Sequence, residues 1–113
     1  MKQEQPQTQD IRGRALDAAG LVDYQTGAVV SRALIQKPTG TVTLFSFAEG
    51  QGLSEHAAPF DALVLVLDGE AEIRISGAPH RVKTGQFIIM PADQPHALQA
   101  VKPFKMALVM IRS

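Results

Sequence analysis

From Val29 onward the chain is a succession of short apolar runs cut by turn residues. VVSRALIQ and TVTLFSF are rich in β-branched and aromatic residues and are separated by Lys37-Pro38-Thr39-Gly40, which predicts two strands and a hairpin. Ala62 to Leu67 is apolar at every position, the pattern of a strand buried on both faces. EAEIRI then alternates, with Glu70, Glu72 and Arg74 on one side and Ala71, Ile73 and Ile75 on the other, so one face meets water and the other the core. Gly69 between these runs predicts a bulge or a turn at positive φ. Gly77-Ala78-Pro79 predicts a turn into HRVKTGQFIIMP, in which Gly85 marks a further turn and Pro91 a strand end. HALQAV and FKMALVMI close the sequence as two more strands. Roughly eight to ten strands at this spacing predict an all-β sandwich or closed barrel.

The N-terminal part reads differently. Residues 1–10 are polar, rich in Gln and interrupted by Pro6, too poor in apolar surface to offset the entropy of ordering, and are expected to form a mobile tail. Residues 11–27, beginning IRGRALDAAGLVD, are expected to form an arm with a short helical turn ended by Gly20. One barrel domain over 28–113 follows. With 113 residues there is room for one core and not for two. Eleven basic and eleven acidic residues cancel, which removes the basic footprint that nucleic acid or an anionic membrane requires. The absence of cysteine excludes disulfides, thiolate metal sites and a cysteine nucleophile. No apolar stretch has signal-peptide or membrane-span character, so a cytoplasmic location is expected.

Gly50, His56, Gly69, Gly85, Pro91 and His96 fall at spacings that resemble the two signature stretches of the cupin superfamily, over about residues 40 to 111. The resemblance implies a double-stranded β-helix, or jelly-roll, barrel preceded by a short irregular or helical segment. In the first stretch Gly50 and His56 match, Ala58 stands where the pattern has a second His, Ala62 stands where it has Glu, and Gly69 matches. In the second stretch Gly85, Pro91 and His96 match, Asp93 stands at a Gly position and Ala100 at an Asn position. The scaffold is present and the metal-ligand set is half present.

In cupins that bind metal, two His and a Glu from the first stretch and a His from the second hold a divalent ion. The resemblance therefore assigns His56 and His96 as ligands of one divalent transition metal (Zn, Ni, Fe or Mn), if any is bound. Two imidazoles alone fall short of the three protein ligands usual in a catalytic site. Asp61, one residue before the Glu position, is the third ligand considered, with the Pro59-Phe60 dipeptide turning it inward; Glu55 is expected to face away from His56 by strand parity. Asp93, in the same loop-to-strand turn as His96, is read by preference as a solvent-exposed loop carboxylate, with orientation of the His96 ring as the alternative, and His80 is read as a solvated hairpin residue. Strand parity and the alanines at ligand positions predict a pocket lined by Phe47, Ala58, Phe60, Ala62, Leu98, Ala100, Met106 and Leu108, with Met110 also facing inward.

Two functions remain open at this point. One is a small-molecule-binding cupin whose polar groups are His56 and His96 and in which metal is weak or absent; the other is a metal-dependent cupin enzyme, of dioxygenase or isomerase type, using the same two residues. A homodimer of C2 symmetry is expected, with Ala28 to Ile35 and Met106 to Ile111 as the edges needing cover. Ser54, His56 and Asp61 supply the residue types of a nucleophilic triad, but they lie on one strand and its lead-in without a nucleophile elbow. The glycines of Gly50-Gln51-Gly52 precede a strand and not a helix, so they do not form a phosphate loop.

Overall fold

The computed structural model describes residues 10–112, so all of the expected tail at residues 1–10 except Asp10 lies outside the described residues. Seven strands follow a 3-10 turn at Ala18–Leu21: β1 (Val29–Lys37), β2 (Gly40–Phe47), β3 (Gly52–His56), β4 (Ala62–Ile75), β5 (Ala78–Lys83), β6 (Phe87–Met90) and β7 (His96–Ile111). All pairings are antiparallel, in the order β1-β2-β7-β4-β5, with β3 added to β7 and β6 to β4. The first half of β4 and the second half of β7 sit with β1, β2 and β6, whereas their other halves sit with β3 and β5. Two long strands thus belong to both layers of one barrel, as in a jelly roll.

Seven strands replace the eight to ten expected because two predicted breaks are not breaks. Gly69, at φ +80°, lies inside β4 at a bulge, where the register to β7 shifts between Val66 and Asp68 and again between Gly69 and Ala71. Pro103 is accommodated inside β7 opposite the same bulge, joining the two predicted C-terminal strands into one of 16 residues. The β4–β5 turn is made by Ser76 and Gly77, both at positive φ, and Pro79 already lies in β5 opposite Arg74. Pro79 is tolerated because β5 is an edge strand, whose outer row of donors has no ladder to complete. The β1–β2 hairpin falls where Lys37-Pro38-Thr39-Gly40 placed it.

The core lies between the two layers, where Phe47, Val64, Val66, Ala71, Ile73, Phe104 and Met106 have no exposed surface. Phe47 stacks on Phe104 with ring centroids 4.4 Å apart and on Phe45 at 5.8 Å. The N-terminal arm is tied to the barrel: Ser46 Oγ donates to the Asp23 carbonyl, Tyr24 Oη to Asp68, and Lys105 Nζ to the Ala19 carbonyl. Gly20 lies within the 3-10 turn and does not end it. No helix among the described residues is long and apolar enough to cross a membrane.

Candidate functional site

β3 ends on His56 and β7 begins on His96, and the two residues are paired directly across these strands, with Ile75 of β4 on the other side of His96. Directly opposed side chains in antiparallel strands lie about 4.5–5.5 Å apart at Cβ, so the pairing alone brings the imidazoles into contact. Their Nε2 atoms are 3.2 Å apart, and the rings meet edge to face at 74°.

The other ring nitrogens are committed. His56 Nδ1 lies 2.9 Å from the Ser54 carbonyl and His96 Nδ1 lies 3.2 Å from the Gln94 carbonyl. A carbonyl oxygen only accepts, so each Nδ1 carries the proton and each neutral ring presents a bare Nε2 lone pair. The loop before His96 is itself fixed. Asp61 accepts from the Ala92 amide at 2.8 Å, the Asp93 amide donates to the Ala58 carbonyl at 2.7 Å, and the Ser76 amide donates to the Pro95 carbonyl at 2.7 Å. Asp93 sits at φ +65° and does not reach the ring of His96, whose Nδ1 partner is the Gln94 carbonyl.

Around the pair is a cavity of about 40 Å³ lined by Leu53, Ala58, Ala62, Met90, Leu98, Met106, Leu108 and Met110. His56 and His96 are its polar groups. His96, at 4 % exposure, forms the inner wall, and His56 is exposed at the mouth. Of the pocket residues expected from sequence, Ala58, Ala62, Leu98, Met106 and Leu108 are here. Phe47 and Ala100 face inward but are packed in the core and do not line the cavity. Phe60 lies outside, in a larger groove on the outer face of the barrel with Leu63, Ile89 and Ile111. Leu53 and Met90 were not expected. Leu53 and His56 are three positions apart, so strict alternation puts them on opposite faces; the register shift between them turns both inward.

Asp61 also faces the outer groove, with its carboxylate engaged on Ala92. It is not brought to the imidazole pair, and among the described residues no group of three or more His, Cys, Asp or Glu comes together. His80 is exposed on β5 opposite Ile73. Two imidazoles with anchored Nδ1 atoms and Nε2 atoms 3.2 Å apart match adjacent ligands of one ion, since nitrogens each about 2.0–2.1 Å from a tetrahedral centre lie about 3.3 Å from one another. The donor count does not fit a self-sufficient metal centre, because the positions that would supply the others hold Ala58 and Ala62.

Burial holds the pKa of His96 below the ordinary histidine value, and the charge of a protonated His56 acts in the same direction; the Gln94 carbonyl opposes both. The unfolded chain therefore takes up this proton first as pH falls. The stabilising contribution of His96 is complete above about pH 6.5 and is lost as pH drops toward its lower folded-state value. Urea unfolding at pH 7.5 and 5.5 is expected to show a loss of stability in wild type that His96→Gln reduces; an undiminished pH response in the variant would contradict the assignment.

A barrel of this topology, with an inward His at the end of β3 and another at the start of β7, has the architecture of the cupins. Residues 43–112 match the cupin domain family, and the chain belongs to it. A conserved protein of unknown function from Streptococcus pyogenes is 40 % identical over 90 % of both chains, with a TM-score of 0.87. A cupin superfamily protein from Desulfitobacterium hafniense is 31 % identical over 90 % of this chain and 94 % of its own, with a TM-score of 0.85. A cupin 2 conserved barrel domain protein from Leptotrichia buccalis is 44 % identical over 83 % of this chain and 46 % of its own, with a TM-score of 0.81. No curated protein matches the chain.

Proposed function

We propose that the protein is a small-molecule-binding cupin whose ligand carries one acidic hydroxyl, as an enol, a phenol or a carboxylic acid. The single observation behind this reading is the pair of Nε2 atoms 3.2 Å apart with both Nδ1 atoms on backbone carbonyls, an arrangement that leaves both Nε2 lone pairs free when the rings are neutral. Two lone pairs held this close repel unless something donates between them. An enol or phenol supplies that proton from its own O–H, whereas a carboxylic acid, ionised at neutral pH, binds as the carboxylate together with one proton taken up from solvent. Either way the proton sits on one Nε2 and an anionic oxygen lies beside an imidazolium, a charge-assisted pair that gains strength in an apolar pocket. The lowered pKa of His96 keeps its Nε2 unprotonated at neutral pH and ready to accept.

The cavity of about 40 Å³ has room for the hydroxyl and little more, given a share of about 30 Å³ for one water molecule. The body of the ligand lies toward the mouth or displaces Met90, Met106 and Met110, side chains whose unbranched thioethers repack readily. Benzoic acid, phenol and their methyl ester and ether serve as probes in thermal unfolding. The acids are expected to raise the Tm of wild type through ligand linkage. The capped compounds, and all four with His56→Ala or His96→Ala, are expected to leave it unchanged. Stabilisation by the capped compounds equal to that by the acids would overturn the reading.

The Nε2 separation favours one second reading, a metal-dependent cupin enzyme in which the same two imidazoles hold a divalent ion and the substrate completes the ligand set. An ion held there supplies Lewis acidity. Elemental analysis of untagged protein separates the readings: near-stoichiometric metal lost in both His→Ala variants supports the second, and metal-free protein after incubation with Zn²⁺, Ni²⁺, Fe²⁺ and Mn²⁺ supports the first.

A further inference from the structure

After Met1 the chain has three methionines, Met90, Met106 and Met110, and all three line the cavity that holds the imidazole pair. Two of them share one row of the larger layer. Met90 of β6 is paired with Ala62 of β4, and Ala62 with Met110 of β7, so the two thioethers stand on either side of a methyl group. The imidazoles belong to the other layer, on β3 and the first half of β7, so the row and the pair face each other across the cavity. The adjacent inward row, Ile88, Val64 and Leu108, is made of branched aliphatic residues, which fill space in better-defined rotamers than methionine does. Met106 has an aromatic neighbour in the chain, Phe45, directly across β2 and β7. Met90 and Met110 have only Ala62 and Thr41 as cross-strand partners. None of the chain's five Phe and one Tyr lines the cavity.

We infer that the row of Met90, Ala62 and Met110 seats an aromatic ring, so that the ligand of the imidazole pair is an aryl acid, a phenol or an aryl carboxylic acid, in preference to an aliphatic one. The inference rests on the imidazole pair as the acceptor for an acidic ligand. A thioether gains from an aromatic ring when the sulfur lies about 5 Å from it, often at the ring edge. Neighbouring strands are about 4.8 Å apart, so Met90 and Met110, with one strand between them, are separated by about 9.5 Å. A ring standing on the Ala62 methyl, midway between them, is therefore within reach of both sulfurs. It exceeds the present cavity of about 40 Å³, and the unbranched thioethers part to admit it. Hydrophobic burial does not by itself choose an aromatic ring over a saturated one of the same size. Two sulfur contacts do, by roughly tenfold.

Isothermal titration calorimetry at pH 7.5 with benzoic acid and cyclohexanecarboxylic acid tests this, since both are ionised and both carry a six-membered ring. Wild type is expected to bind benzoate roughly tenfold more tightly. The Met90→Leu/Met110→Leu double variant, which conserves volume and apolar surface, is expected to bind the two alike. In wild type carrying ¹³C-methyl methionine, benzoate is expected to impose on the Met90 and Met110 methyls a ring-current shift that the saturated acid cannot produce. Equal affinities in wild type, a preference that persists in the folded double variant, or methyls unmoved by bound benzoate would overturn the aromatic seat and leave the imidazole reading standing. If neither acid binds wild type, the imidazole reading itself fails and the seat with it.

Discussion

Gly69→Ala is expected to cost more than about 4 kcal/mol, among the largest losses a single substitution causes, because it adds backbone overlap to strain at a special φ. For a domain of this size that lowers Tm by roughly 20 °C or more and removes most soluble protein at 37 °C. Gly69 adopts φ +80°, and an added Cβ would lie 1.9 Å from the Pro103 carbonyl oxygen and 2.9 Å from the Phe104 Cα. These are backbone atoms of the neighbouring strand and cannot rotate away, so the substitution parts β4 from β7 where both cross from one layer to the other. Gly77→Ala is the control. Gly77 has a similar φ of +83° but nothing within 4 Å of the added atom, so it carries only the left-handed backbone cost of about 1–2 kcal/mol. Chemical unfolding of the two variants side by side separates the contributions, and equal losses would contradict the close approach of the strands.

Phe47→Ala is expected to destabilise by about 3–5 kcal/mol. The ring is fully buried and lies almost parallel to Phe104, at 7°, with Phe45 on its other flank. Truncation leaves a void that rings held in a sheet close only partly, and it removes two aromatic contacts worth about 0.5–1.5 kcal/mol each. Because Phe47 does not line the cavity, folded Phe47→Ala protein is expected to respond to benzoic acid as wild type does. A loss below about 1 kcal/mol by urea unfolding would show that the stack is not a principal part of the core.

Much of the barrel was legible because its strands obey simple alternation and its turns use residues with few other uses. Lys37-Pro38-Thr39-Gly40 marked the first hairpin, and Pro91 ended β6. The errors share one cause: a Gly or Pro signals a local backbone requirement, and sequence does not say whether that requirement is a turn or a bulge. Gly69 and Pro103 face each other across one bulge, a relation between residues far apart in the chain, so each looked like a strand end. Pro79 looked like part of a turn for the same reason.

The candidate site divides similarly. His56 and His96 were legible from their spacing to scaffold residues, and the structure pairs them. Their separation and the carbonyls fixing their tautomers depend on the ends of β3 and β7 and were not legible. Parity gives the face a residue occupies and not its depth, which is why Phe47 and Ala100 face inward yet lie beyond the cavity. Asp61 was weighed as a ligand from its nearness in sequence, but the nearby Ala92 amide claims its carboxylate. Ala92 is 31 residues further along the chain, so which of the two takes the carboxylate, this donor or the imidazole pair, is decided by a loop whose path the sequence does not reveal.

The central claim is that the Nε2 atoms of His56 and His96 act as one acceptor, for the proton of a phenolic or enolic hydroxyl or for a solvent proton taken up together with a carboxylate. The most direct test is nitrogen-detected NMR of ¹⁵N-histidine-labelled protein at pH 7.5, with and without benzoic acid. Free protein is predicted to show both rings protonated at Nδ1 only, and benzoic acid to shift both Nε2 resonances together toward the protonated range, leaving His80 unmoved. Resonances of His56 and His96 that stay in place at saturating benzoic acid and phenol, or a free protein with either ring protonated at Nε2 and bare at Nδ1, would contradict it.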